Sequence, residues 1–452
     1  MAIADPARMA ALALLAGAYE AGVTISDQIA AGALDHLAPG DRGRAQRLAL
    51  STLRNGGRAD KVLKAFVRRR PPVDIQILLY LATVEMLEEG VAPHGVVSTA
   101  VSLARSGGPS TESYAGLINA VLRKVADVTP EAWAKIPAPE LPGWLRGRLM
   151  SAYGKVNTQK MEVAHTKGAA LDITAKGDPS ALVEALGATL LPTGSLRIPA
   201  RAQVSELPGF AEGQWWVQDA AAALAAKALD AKPGERVLDL CAAPGGKTMQ
   251  LAAAGAQVTA LDMSRPRLKR VHENLERTGL SAEVIAEDAL HYAPEQPYDA
   301  ILLDAPCSAT GTIRRHPDLP FVRDPSTLKE VFALQTAMLD HALTLLAPKG
   351  RLVFCTCSLL PEEGEEQIKS ALARHDGLRT LPIVLEGVDP EWMTPEGGLR
   401  LRPDYWAAQG GMDGHGPHEF DQFLIGLFFA WGQSLINLAT QVVLGRSCCA
   451  QK

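Results

Sequence analysis

The spacing of apolar residues divides the chain into a helical first part and a last part in which strands and helices alternate. Up to about residue 128, apolar positions recur at helical spacing in 9–21, 45–53, 62–67, 75–87 and 115–125. Glycine and proline pairs separate these stretches. We therefore predict an all-helical domain over 1–128, followed by a proline-rich linker over 129–142.

A short region of mixed pattern follows the linker. Residues from 144 to about 170 have helical spacing, 170–176 alternate as a strand does, and 179–186 again favour a helix. A second strand is expected near 196–199. The pattern predicts a small α+β subdomain over 143–215, in which we find no chemical motif.

From residue 216 onward the pattern changes to regular alternation of strands and helices. The predicted strands are 237–240, 257–262, 282–288, 298–304 and 351–358. The predicted helices between and around them are 220–229, 247–254, 265–278 and 325–346. Such alternation is typical of a parallel sheet covered by helices, so we predict an α/β domain over 216–430. Residues 431–452 remain as an atypical C-terminal tail.

The stretch Cys241-Ala-Ala-Pro-Gly-Gly-Lys247 joins the first of these strands to its helix. In doubly wound sheets, ligands bind beyond the carboxyl ends of the strands, against the start of the helix. Gly245 and Gly246 lack a Cβ atom and would let a cofactor approach the backbone. A phosphate-binding P-loop would need glycine at position 241, and a dinucleotide motif would need G-x-G-x-x-G; the sequence fits neither pattern well.

Three acidic residues end neighbouring strands on the same predicted edge: Asp262, Asp288 and Asp304. Asp262 is placed to accept hydrogen bonds from the ribose hydroxyls of an adenosine cofactor, and Asp288 from the adenine amino group. The alternative is that each carboxylate only caps a helix or a turn. Three such residues on one edge favour the cofactor site.

Cysteines lie at the ends of the fourth and fifth predicted strands of the α/β domain. Six cysteines in 452 residues do not form a disulfide scaffold, and a reducing, cytoplasmic compartment fits best. The spacing needed for zinc is missing, so no metal is expected. A buried cysteine is usually an inert apolar residue. Cys307 and Cys357 lie at loop-facing strand ends instead, and we expect them to share one crevice.

The net charge of −5 gives no overall nucleic-acid signature, but one segment is strongly basic. Residues 42–70 contain ten lysines and arginines and one acidic residue. On helices these side chains could form a single face that contacts RNA phosphates, and the alternative is an ordinary solvated surface. The residues assigned to this face are Arg47, Arg54, Arg58, Lys61 and Arg68.

The last part of the chain contains a long uncharged stretch, 422–445, which begins before the tail. Its length would suffice for a membrane span, but several glutamines and other polar residues interrupt it, so we expect no membrane partner. Residues 423–431 are a candidate for a last strand of the sheet.

Three motifs together resemble the Sun (RsmB-type) RNA 5-methylcytosine methyltransferases. They are the stretch from Cys241 to Lys247, the stretch 303–318 around Asp304-Ala-Pro-Cys307, and the stretch 356–363 that begins Thr356-Cys-Ser358. The resemblance covers about 140–414, and residues 1–128 are similar to the NusB-like domain of the same subgroup. It implies a Rossmann-like class I methyltransferase sheet preceded by a small α+β subdomain and an all-α NusB-like domain.

The resemblance also implies S-adenosyl-L-methionine as cofactor and a cytosine of ribosomal RNA, in the small subunit, as substrate. Cys357 matches the nucleophile of the family, and Cys307 matches the cysteine that assists release of the methylated base. The residues assigned to the cofactor are Cys241, Ala242, Ala243, Pro244, Gly245, Gly246, Lys247, Asp262, Arg267, Asp288 and Asp304.

The chemistry explains why such residues are needed. Cytosine C5 is a poor nucleophile, and a thiolate that adds at C6 makes C5 reactive. Asp304 could contact the N3 edge and stabilise the charge that develops there. The base must be unstacked to reach the crevice, so a loop or single-stranded cytosine is expected. Two alternatives remain: a DNA cytosine-5 methyltransferase that uses Cys307 as nucleophile, and a non-catalytic RNA-binding or assembly factor.

Overall fold

The computed structural model describes residues 5–198 and 204–412, together with the backbone of 424–430. The described chain divides into two units. The helical unit comprises the residues up to Gly168 and a returning segment, Ile313–Asp324. The sheet unit comprises Ala169–Thr312 and the chain from Pro325 onward.

The helical unit is built from helices whose apolar side chains form two buried clusters, and Leu12 packs against both. Helix α1 begins after Asp5, whose carboxylate accepts from the Arg8 backbone N–H, and Pro6 occupies its first turn. The helices are α1 (Pro6–Tyr19), α2 (Ile25–Ala30), α3 (Pro39–Leu63), α4 (Val73–Leu87), α5 (Pro93–Ser106), α6 (Pro109–Glu112), α7 (Ala115–Val125), α8 (Pro130–Ala134), α9 (Gly143–Thr166) and α14 (Leu319–Val322).

Two boundaries of the predicted domains differ from the observed units. The predicted linker 129–142 contains α8, and Trp133 in this helix is buried in the helical core. Helix α9, predicted to belong to the small α+β subdomain, belongs to the helical unit. The reason is local packing: Glu162 accepts from the Leu141 N–H at 3.0 Å, and the Trp144 indole N–H donates to the Pro320 carbonyl at 3.1 Å.

The sheet unit begins with a small antiparallel sheet. Its strands are β1 (Leu171–Ala175), β2 (Thr189–Leu190), β3 (Leu196–Ile198) and β4 (Trp215–Val217), in the order β2-β3-β1-β4, with α10 (Val183–Leu186) beside them. The strands predicted at 170–176 and 196–199 are confirmed. Strands β2 and β4 were not predicted.

The large sheet has the predicted α/β architecture. Its strands follow the order β10-β12-β9-β8-β5-β6-β7, and β11 pairs with β12. Strands β5 to β9 pair in parallel, and their helices cover both faces with apolar side chains. The elements are α11 (Ala220–Leu229), β5 (Arg236–Leu240), α12 (Gly246–Ala253), β6 (Gln257–Leu261), α13 (Arg265–Thr278), β7 (Glu283–Ile285), β8 (Tyr298–Asp304), α15 (Leu328–Thr344), β9 (Leu346–Thr356), α16 (Glu365–Arg374), β10 (Leu378–Thr380), β11 (Leu399–Arg400) and β12 (Leu424–Ala430).

The last strand comes from the atypical C-terminal part of the chain. Strand β12 lies between β9 and β10 and is antiparallel to both. The prediction of a strand within 423–431 is thus confirmed for 424–430, and the rest of the uncharged stretch lies outside the described residues. Within the described part of the chain, no helix combines the length and apolar composition needed to cross a membrane.

Candidate active site

Cys307 and Cys357 lie together at the carboxyl edge of the large sheet. Strands β8 and β9 are parallel, and their register pairs Asp304 with Cys355. The two loops that leave these strands therefore start side by side, and the Gly311 N–H donates to the Cys357 carbonyl at 3.0 Å. The Sγ atoms of Cys307 and Cys357 are 3.1 Å apart, and both thiols are half-buried and not joined in a disulfide.

Two other thiols lie near this edge but are poor candidates for a nucleophile. Burial raises the pKa of Cys241, and burial raises the pKa of Cys355 still more clearly. Negative charge on Asp304 adds to both effects. Because the thiolate is the reactive species, these two thiols are suppressed as nucleophiles. Among the described cysteines, Cys307 and Cys357 therefore remain as the candidates for the nucleophile.

A cavity of about 590 Å³ opens beside the glycine corner. Gly245, the residue before helix α12, has φ 102°, a left-handed conformation that side chains other than glycine rarely adopt. Of the residues assigned to the cofactor, those in the cavity wall are Cys241, Ala242, Pro244, Gly246, Lys247 and Asp304.

Lys247 and Asp304 form a buried ion pair in the cavity wall. The Lys247 ammonium lies 2.9 Å from Asp304 Oδ2. The other carboxyl oxygen accepts from the Cys355 thiol at 3.7 Å. Asp304 is the last residue of β8, and Lys247 reaches it from the first turn of α12. The ion pair therefore places a carboxylate, whose charge is balanced by Lys247, at the end of β8 where the Cys307 loop begins.

Asp262 and Asp288 stand further along the same edge and accept hydrogen bonds from backbone N–H groups. Asp262 is buried and accepts from the Ala243 and Ser264 N–H groups at 3.2 and 2.8 Å. Asp288 accepts from the Leu290 N–H at 2.9 Å. The contacts with the Ser264 and Leu290 N–H groups are the turn contacts of the alternative interpretation, whereas the contact with Ala243 joins Asp262 to the corner after β5. A cofactor role for both acids stays a prediction.

Arg267 links two parts of the predicted cofactor site. Its guanidinium donates to the Ala243 carbonyl at 2.7 Å and lies 3.6 Å from the Asp262 carboxylate. The contacts hold the corner after β5 against the end of β6. A direct contact of Arg267 with the cofactor stays a prediction.

Asp239 is a wall residue whose role we did not predict. It is fully buried in β5, accepts from the Thr248 hydroxyl at 2.6 Å, and its pKa is raised to about 7, chiefly by burial. Its Oδ1 atom has no hydrogen-bond partner among the described residues. The sequence signal for Asp239 is an acidic residue inside an otherwise apolar strand, two positions before the corner at Cys241.

The basic helix α3 differs from the expected open face. Arg54 points inward, where its guanidinium donates twice to the Arg314 carbonyl at 3.1 and 2.7 Å, and burial lowers its pKa to about 10. Arg58 lies over the Trp133 ring at 4.1 Å and pairs with Glu88 at 3.1 Å.

These contacts correct the assignment of Arg54 and Arg58 to an exposed RNA-binding face. Both guanidinium groups are used inside the helical unit. Arg47, Lys61 and Arg68 are exposed, and their side chains have no hydrogen-bond or ion-pair partner within the described parts of the chain. An RNA-binding role for these three residues stays a prediction.

Two known families match successive parts of the chain. Residues 226–410 match the family described as 16S rRNA methyltransferase RsmB/F. Residues 5–127 match the NusB family. Ribosomal RNA small subunit methyltransferase B of Pseudomonas putida (strain KT2440) is 35% identical over 409 residues, which cover 84% of this chain and 92% of that protein.

Solved structures give the same picture of the fold. The crystal structure of PH0851 superposes with a TM-score of 0.70 at 24% identity, over 95% of this chain and 99% of that one. A methyltransferase homolog protein from Pyrococcus horikoshii gives a TM-score of 0.51 at 27% identity, over 63% of this chain and 93% of that one. The first likeness extends through the helical part of the chain as well as the sheet.

Proposed function

The chain belongs to the 16S rRNA methyltransferase RsmB/F family, and we propose that it methylates cytosine C5 through a covalent adduct on Cys357. It is an S-adenosyl-L-methionine-dependent RNA (cytosine-5)-methyltransferase whose substrate is ribosomal RNA. The observation that carries the proposed mechanism is the pair of half-buried thiols, 3.1 Å apart, at the edge that also bears the cofactor corner.

The cavity beside Gly245 fits the cofactor. Its wall combines a close backbone approach at the glycine corner with the unpartnered buried Oδ1 of Asp239, which suits a donor group or a positive charge on a ligand. S-adenosyl-L-methionine supplies an electrophilic methyl group when bound. Asp262 and Asp288 are proposed to accept from the ribose hydroxyls and the adenine amino group.

Cys357 is proposed to make the cytosine ring nucleophilic. Its thiolate sulfur forms a bond to C6, and the electron pair of the C5–C6 double bond gives C5 the character of an enamine carbon. Asp304 is proposed to contact the N3 edge, where charge develops. The Lys247 ammonium, 2.9 Å from the same carboxylate, offsets negative charge there.

Cys307 is proposed to act after methylation. A base removes the proton from C5, the C5–C6 double bond re-forms, and the bond between C6 and the Cys357 sulfur breaks. With its sulfur 3.1 Å from that of Cys357, Cys307 is close enough to take part in this release. In this proposed order of events, the Cys357 thiolate attacks C6 and Cys307 assists the later elimination.

The RNA is proposed to present a loop or single-stranded cytosine, because a stacked base cannot enter the crevice. Arg47, Lys61 and Arg68 of the helical unit are proposed to contact its phosphates. All three side chains are exposed, which leaves them accessible to RNA.

Two single substitutions test the assignment of the thiols. Cys357→Ala should abolish methylation of purified small-subunit RNA, by about a thousandfold or more, because the nucleophile is lost. Cys307→Ala should leave attack possible and block release, so enzyme bound covalently to RNA accumulates. Full activity of Cys357→Ala with inactivity of Cys307→Ala would instead indicate the arrangement of a DNA cytosine-5 methyltransferase.

Bisulfite mapping of ribosomal RNA from cells that lack the gene tests the substrate. One or more cytosines should lose protection from conversion, and expression of the intact chain should restore it. Unchanged protection, together with no binding of S-adenosyl-L-methionine in calorimetry, would favour a non-catalytic assembly factor.

A further inference from the structure

Glu363 is a buried carboxylate that contacts both loops of the cysteine pair. It lies after β9, six residues beyond Cys357, and has no exposed surface. Its Oε1 atom accepts from the Ser308 backbone N–H at 2.8 Å. Its Oε2 atom accepts from the hydroxyls of Ser308 and Ser358. Each serine directly follows one of the two cysteines, so one carboxylate contacts both loops.

Neighbouring side chains complete this network. Gln335 of α15 donates to Glu363 Oε1 at 3.0 Å and to the Pro306 carbonyl at 2.8 Å, which holds the Cys307 loop from its other side. The Thr310 hydroxyl accepts from the Leu359 N–H at 3.0 Å and so joins the two loops a second time. The side chains of Gln335, Thr310 and Leu359 are buried.

The contacts of Glu363 act through hydrogen bonds and not through an ion pair. Its carboxylate receives neutral donors only, and within the described part of the chain no lysine, arginine or histidine pairs with it. Hydrogen bonds between buried groups favour one local arrangement, because a shift leaves a buried donor or acceptor without its partner.

We propose that Glu363 is a positioning residue that fixes the two cysteine loops against each other and so sets the distance between the sulfur atoms. The proposed reaction, on which this inference rests, needs attack by one sulfur and release assisted by the other at the same base. Catalytic groups must be held within a fraction of an ångström of their productive positions. A single shared carboxylate does this for both loops.

The conservative replacement separates geometry from charge. In Glu363→Gln, the side-chain oxygen can still accept from the Ser308 N–H and Gln335, while its NH₂ group can donate to the two serine hydroxyls, which accept as well as donate. Glu363→Ala removes all of these contacts. We therefore expect Glu363→Gln to retain most of the activity, and Glu363→Ala to lose about a hundredfold in kcat.

The direct test uses phenylarsine oxide, which bridges two thiols that lie close together. Cys448 and Cys449 are first replaced by serine, so that the adjacent tail cysteines cannot react. We expect bridging of Cys307 to Cys357, located by mass spectrometry, to slow by about tenfold in Glu363→Ala and to remain near wild type in Glu363→Gln. Alkylation of Cys357 by iodoacetamide should change much less, because each thiol stays accessible.

Controls distinguish positioning from general damage. Glu366→Gln, an exposed change in α16, should leave bridging and activity unchanged. If Glu363→Ala does not fold, as judged by thermal unfolding and cofactor binding, Ser308→Ala removes one hydroxyl contact and should slow bridging less severely.

Unchanged bridging in a folded Glu363→Ala or Ser308→Ala variant would overturn the proposal. Equal defects in Glu363→Gln and Glu363→Ala would overturn it as well. Inactivity of the wild type with normal bridging would count against the proposed function instead.

Discussion

The cysteine edge of the sheet unit and helix α3 of the helical unit are both rich in polar side chains, and the fold uses them differently. At the edge, polar groups such as Glu363 and Lys247 are buried and hydrogen-bonded, and Glu363 contacts both loops that carry the two thiols. On α3, Arg54 is used internally, whereas Arg47 and Lys61 are exposed. A polar group near a strand end can thus be placed from sequence, but the direction of a basic side chain on a helix depends on what packs against it.

The largest expected effect concerns Arg54. Arg54→Ala removes two hydrogen bonds and leaves the Arg314 carbonyl without these donors, so the free energy of unfolding of the helical unit should fall by about 3 kcal/mol. Arg47→Ala, on the same helix but exposed, should change it by less than about 0.5 kcal/mol. Chemical denaturation monitored by circular dichroism measures both. Equal effects would mean that Arg54 is not an internal residue of the fold.

A second prediction concerns the buried acid of the cavity. Because the pKa of Asp239 is raised to about 7, the unfolded chain releases this proton at lower pH than the folded chain does. The stability contributed by the protonated form is present below pH 4 and is lost as the pH rises through 7. Asp239→Asn should therefore gain stability relative to wild type as the pH rises from 4 to 8, because the amide has no proton to release.

Thermal unfolding of the cofactor-free wild type and Asp239→Asn at pH 4 and at pH 8 tests the direction of this change in stability. Asp288→Asn, which changes a half-exposed carboxyl group at the same edge, is the matched control, and it should alter stability by less than about 0.5 kcal/mol. A difference between Asp239→Asn and wild type that stays constant over this range would contradict the raised pKa.

The smallest expected effect concerns the exposed basic residues. Combined replacement of Arg47, Lys61 and Arg68 by alanine should weaken RNA binding by about tenfold and lower the slope of log affinity against log salt by about 2, because phosphate contacts are lost. Folding should be unchanged. A salt slope equal to that of the wild type would show that RNA binds elsewhere. The exposed basic residues of α3 would then have no role in RNA binding that distinguishes them from the inward-facing Arg54.

The strands and the thiol pair could be predicted because the relevant signals are local. Apolar runs locate β8 and β9, and parallel pairing then brings Cys307 and Cys357 to one edge without knowledge of side-chain contacts. Helix α13 was predicted with its observed bounds, since Gly279 ends it.

The missed features depend on contacts between residues far apart in the chain. The Trp144 indole reaches the Pro320 carbonyl across 176 positions, and such a contact assigns α9 and Ile313–Asp324 to the helical unit. Arg54 is buried by part of the same segment. Glu363 is part of a motif that the sequence revealed, but its shared contacts with Ser308 and Ser358 appear only after folding.

The most direct test of the covalent mechanism identifies the cysteine that carries the RNA. Cys307→Ala enzyme would be incubated with substrate RNA and S-adenosyl-L-methionine, digested with nuclease and protease, and examined by mass spectrometry. We expect a methylated cytidine nucleotide on the peptide that contains Cys357 and on no other. A nucleotide on a different cysteine, or methylation by Cys357→Ala enzyme at the wild-type rate, would contradict the mechanism.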